Sequence, residues 1–191
     1  PTARVIRLPQ WLALLATALL TPFRRFRPRP GLETPGAVRT YNFNLAVDPN
    51  DPTHVFAGAW GSGVLEFRGT EFTTYDETNS SLQNLIPGQP FIRVGGVALD
   101  PQGNLWVTNS SVAEPISVLK TDGTWLSFRV NNLISEYGAL GDILVSSAGH
   151  KWVIIPRGYG LFAMDDNQTI DNTADDIYEK VSVVDKFGKV I

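Results

Sequence analysis

An all-β fold is predicted by three observations. A pattern of short apolar runs occurs three times between residues 41 and 191. Its copies lie 50 and 46 residues apart, measured from Phe56 to Trp106 and from Trp106 to Trp152. Turn residues separate the runs, and no long stretch carries the 3.6-residue apolar period of a helix. Four strands in a repeat of this length describe one blade of a β-propeller. The prediction is thus a partial β-propeller of about three four-stranded antiparallel blades, over about 41–76, 91–130 and 140–184. Propellers close with about 4–8 blades, so the remaining blades of a longer chain are expected beside these.

The first copy begins with Leu45-Ala46-Val47-Asp48-Pro49, whose last two residues end a strand in a turn. His54-Val55-Phe56-Ala57-Gly58 supplies the second strand, Val64-Leu65-Glu66-Phe67 the third and Glu71-Phe72-Thr73-Thr74-Tyr75 the fourth. The second copy reads Val97-Ala98-Leu99-Asp100-Pro101-Gln102-Gly103-Asn104-Leu105-Trp106-Val107-Thr108, then Ile116–Lys120 and Thr124–Phe128. The third reads Ile143-Leu144-Val145, then Lys151-Trp152-Val153-Ile154, then Gly160-Leu161-Phe162-Ala163. Its last strand is placed at Ile177–Val183, behind an acidic insertion. Phe56, Trp106 and Trp152 share one strand position, which predicts that all three are core wedges between blades.

The second copy resembles the two-component-regulator propeller repeat, whose core is a hydrophobic strand, an Asp-x-x-Gly-Asn turn and a Leu-Trp-Val/Ile-Gly-Thr strand. Asn79-Ser80-Ser81-Leu82 is similar to the connector such blades use, and Asn131-Asn132-Leu133 resembles a degenerate second one. The first and third copies depart at the core, reading Val55-Phe56-Ala57-Gly58-Ala59 and Lys151-Trp152-Val153-Ile154-Ile155. Over residues 41–191 the arrangement also resembles PorZ-type proteins of the type IX secretion system. That resemblance implies an exported protein of the periplasm or outer surface of a Gram-negative bacterium. It implies a binding scaffold in secretion or cargo attachment, with a glycan, lipopolysaccharide or protein partner on a propeller face. The same repeat in hybrid histidine kinases implies an alternative, a periplasmic ligand-sensing propeller. A fragment of a propeller lyase or glycosidase is a second.

Charge is unevenly placed. Residues 1–40 hold seven arginines against the single acid Glu33, leaving nine basic and eighteen acidic residues in the remainder. An acidic body excludes nucleic acid as the expected partner, because phosphate binding needs a positive surface. Residues 1–36 read either as a secretory signal or as a foreign basic leader. An apolar run at Trp11–Leu20 follows Arg4 and Arg7, but Phe23–Pro30 is basic and Pro-broken and the chain opens on Pro1. Either way the propeller is expected to occupy 37–191.

No catalytic constellation and no cofactor are expected. With no Cys a thiolate centre cannot be assembled, and with only His54 and His150 a zinc site is not expected. Both histidines align with Asn104 and read as turn residues. Asp165, Asp171 and Asp175 offer oxygen ligands for a weak calcium site, but without an EF-hand pattern a solvated loop is the simpler reading.

A meander places loops between strands one and two, and three and four, at one end. The loops between strands two and three join the blade connectors at the other. The second end collects Trp60, Asn109, Glu114, Arg157 and Tyr159. Aromatic rings, amides and charged groups on loops of a rigid scaffold suit a sugar or a peptide.

Overall fold

A computed structural model describes residues 43–130, 133–134, 138–157, 160–181, 184 and 186–189. The leader expected over 1–36, Asn131 and Asn132 of the second connector, and Tyr159 lie outside the described residues. The described chain forms three four-stranded antiparallel sheets, each with strands in sequence order. The first contains β1 (Phe43–Val47), β2 (His54–Ala59), β3 (Gly63–Arg68) and β4 (Glu71–Tyr75). The second contains β5 (Val94–Leu99), β6 (Leu105–Asn109), β7 (Ile116–Leu119) and β8 (Trp125–Phe128). The third contains β9 (Ile143–Val145), β10 (Lys151–Ile155), β11 (Gly160–Asp165) and β12 (Ile177–Val181).

The turn after each innermost strand closes in the same way three times. Asp48 N–H donates to the His54 carbonyl, Asp100 to that of Asn104 and Ser146 to that of His150, at 3.0, 2.9 and 2.9 Å. The alignment of His54, Asn104 and His150 therefore holds in three dimensions. Asp48 and Asp100 also accept the amides of Asn50 and Gln102 on their side chains, the local bond that makes Asp a turn former. β5 starts three residues earlier than the sequence reading placed it. Gly95 and Gly96 carry it through a register shift that follows Val94.

Strand alternation assigns the cores. Along β6, Leu105 and Val107 pack toward the first sheet, in a cluster with Ala46, Phe56, Val64, Val94 and Val97. Trp106 points the other way, among Ile116, Val118, Phe128, Ile143, Val153, Phe162 and Met164. The second sheet is thus buried on both faces, which is why its strands read as continuous apolar runs. Phe56 and Trp106 are wedges between blades, 3% and 0% exposed. Trp152 departs from the expectation. It lies on the third sheet's face away from the second, 38% exposed, beside Leu144 across the strand pair.

Candidate binding face

The meander order puts Trp60, Ser110–Pro115, Pro156–Arg157 and the connector 76–93 at one end. Trp60 and Arg93 form an antiparallel bridge outside the named strands, and Gly61 N–H donates to the Ile92 carbonyl at 2.7 Å. The exit of β2 is thereby stitched to the segment entering β5. Arg93 lies over the Trp60 ring, 5.3 Å from guanidinium carbon to centroid, and 5.6 Å from the Phe91 ring, within cation–π range of both.

Asn109 is fully buried. Its side-chain oxygen accepts the Gln83 amide at 2.6 Å. Glu114 accepts the Gln83 side-chain amide at 3.0 Å and the Ser127 hydroxyl at 2.5 Å. These two expected contact residues clamp the blade connector; only Glu114, half-buried, also reaches solvent. Arg157 is exposed, with a left-handed φ of 66°. The structure brings Trp60 together with Arg93, which the sequence reading missed because Arg93 lies on the connector, outside the repeated strand pattern.

The opposite end carries the histidines. His54 is more than a turn residue. Its ring is buried, with Nδ1 3.2 Å from Asp48 Oδ2 and Nε2 2.8 Å from Glu66 Oε1. Glu66 also accepts from Arg68 Nε at 2.9 Å and from the Tyr75 hydroxyl at 2.6 Å. Burial pushes the Glu66 carboxyl up, but the bonds from Tyr75, His54 and Arg68 outweigh it and hold it below its ordinary 4.5. Burial, reinforced by Glu66, pushes the Tyr75 phenol up to about 12.

A carboxyl with a depressed folded-state pKa stabilises the fold above its unfolded value and loses that contribution as pH falls through the folded one. Glu66→Gln should therefore lower stability at neutral pH by about 1–2 kcal/mol. It should also narrow the gap between thermal midpoints at pH 7 and pH 3. An unchanged gap would remove Glu66 from the acid response.

The three aspartates weighed for calcium take separate partners. Asp165 lies 3.4 Å from His150 Nε2, Asp171 3.0 Å from Lys120 Nζ, and Asp175 accepts from the Thr169 hydroxyl at 2.9 Å. Among the described residues no three such side chains converge as a metal would require. An open groove of about 440 Å³ at this end is lined by Val47, Pro49, Leu99–Pro101 and Val145–Ser147. Its one carboxylate, Asp100, already accepts from Asn104 and Trp106.

No protein-family model and no curated protein matches the chain. Among solved structures it is similar to PorZ of Porphyromonas gingivalis, described as an essential bacterial surface component of the type IX secretion system. The two are 29% identical with a TM-score of 0.67, over 78% of this chain and 21% of that one. The extracellular domain of BT3049 from B. thetaiotaomicron, described as a hybrid two-component system, is 19% identical over 73% of this chain and 17% of that one. Its TM-score is 0.48. A streptogramin B lyase is 13% identical over 73% of this chain and 54% of that one, with a TM-score of 0.39. The chain spans about a fifth of the PorZ structure, 21% of its length, and its all-β propeller-like fold is related to that of PorZ-type surface proteins.

Proposed function

We propose that the chain is a non-enzymatic binding or scaffold module of an exported PorZ-like surface protein, serving type IX secretion or cargo attachment. The observation that carries this reading is the match to PorZ, at 29% identity and a TM-score of 0.67 across three consecutive blades. The use of the polar groups supports it: His54, Glu66 and Asp100 are tied into buried structural bonds rather than presented to a substrate. Its place is the periplasm or outer surface of a Gram-negative bacterium. A glycan, lipopolysaccharide or protein is held at the connector end, around Trp60, Glu114 and Arg157, with Asn109 acting from beneath; Tyr159 is the fifth residue assigned to this contact. Further blades of the full-length chain complete the ring.

The test uses the complete protein in its own cell. Trp60→Ala with Arg157→Ala should cut surface-attached cargo at least about tenfold, the scale of losing two anchor residues. Protein level and thermal midpoint should stay unchanged. Unaltered cargo attachment, or a protein recovered from the cytosol, would reject the reading.

A further inference from the structure

We infer that Arg93 is a receptor for a carboxylate presented by an acidic side chain of a protein partner. This rests on the reading of the connector end as the binding face and assigns its chemistry. Among the described residues the Arg93 guanidinium has no ion-pair partner, and Nε is buried with no hydrogen-bond partner. Of the other described arginines, Arg68 meets Glu66 at 2.9 Å and Arg129 meets Glu114 at 4.0 Å, while Arg157 is exposed to solvent. Arg93 instead rests against two rings.

That setting prepares the group for one kind of ligand. Nε is sealed from solvent while the residue as a whole is only half-buried, so an incoming anion would meet the paired Nη groups. A carboxylate matches such a pair with two parallel bonds. The backbone beneath is fixed: the Arg93 carbonyl accepts the Ser110 amide at 2.7 Å, and Trp60 bridges Arg93 from the other blade. A group held in this way loses little freedom on binding.

Two features favour a protein over a sugar. Stacking a sugar needs an open aromatic face, and the guanidinium already lies over Trp60. The adjoining hairpin, closed by the Leu85 amide on the Phe91 carbonyl, carries Ile86 at 50% exposure. An apolar side chain elsewhere on a partner segment would meet Ile86 on the same connector.

The test titrates the 191-residue chain with three probes: the capped peptide Leu-Glu-Leu-Glu-Leu, its glutamine counterpart, and an oligoglucuronate. Readouts are affinity and the Arg93 side-chain Nε–H resonance. Binding of the acidic peptide should move that resonance and weaken with added salt. It should fall at least about tenfold for the glutamine peptide and for Arg93→Gln, the scale of one lost charge-assisted pair. Arg93→Lys, which keeps the charge but not the fork, should fall nearly as far. Tighter, Arg93-dependent binding of the oligoglucuronate would overturn the choice of a protein. No response of Arg93 to any carboxylate would overturn the receptor itself. The wider face reading fails separately, by the cargo assay on Trp60 and Arg157.

Discussion

Replacing Asp166 by alanine is expected to lower the unfolding free energy by about 3–5 kcal/mol, the cost of leaving one member of a buried ion pair alone. Lys151 Nζ lies 2.6 Å from Asp166 Oδ1, with side chains 3% and 4% exposed. The ammonium sits 4.0 Å from the Trp106 ring centroid, so it reaches across the seam between the second and third sheets. Without Asp166 the charge keeps the ring but loses its anion. Asp176 is the nearest substitute. Burial pushes its carboxyl up, and the charges of Asp166 and Asp175 push it further. Removing Asp166 relieves part of that and lets Asp176 ionise more readily, which sets the lower end of the expected range.

Urea unfolding of Asp166→Ala and of the double variant Lys151→Met with Asp166→Leu separates pairing from packing. The double variant should recover most of the loss, because a buried pair replaced by apolar groups is often neutral. A single variant with an unchanged midpoint would mean that solvent reaches the pair.

The strands were legible because their signals are local. Apolar runs of blade length, Asp-Pro turns and glycines at φ of 89° and 90° in Gly103 and Gly149 depend on neighbours a few residues away. The repeat alignment also encodes the burial of Lys151. It occupies the column of Val55 and Leu105, both buried, so its burial followed from alternation. The proposed binding face was legible only in part. Trp60 stood out, but Arg93 reaches it from a connector whose path the strand pattern does not encode. Asn109 and Glu114 looked like loop residues free for a ligand, yet each is occupied by Gln83 from that same connector. The partner of a polar side chain is set by the path of a distant segment, which strand periodicity does not encode.

The same dependence on a distant segment makes Gly96→Val the second large effect, expected at about 3 kcal/mol or more. A Cβ on Gly96 would lie 2.6 Å from the Ile143 nitrogen and 2.7 Å from the Asp142 Cα. One on Gly95 would come closer still to the Leu140 carbonyl oxygen. These are backbone atoms, so no rotamer change can relieve the overlap. Nor can the segment retreat. Ser110 Oγ donates to the Leu140 carbonyl and accepts its amide, Thr108 Oγ1 donates to the Gly141 carbonyl, and Gly141 and Asp142 pair with Ile154. Moving residues 140–143 away would break bonds in two sheets at once. Gly141→Ala is the control. Its added Cβ would meet Ile154 at 3.4–3.6 Å, so the loss should stay within about 1 kcal/mol. If Gly96→Val unfolds at the same urea concentration as Gly141→Ala, the seam between the second and third blades is looser than these distances. A large gap between the two variants means that glycine at this position sets how closely the blades approach.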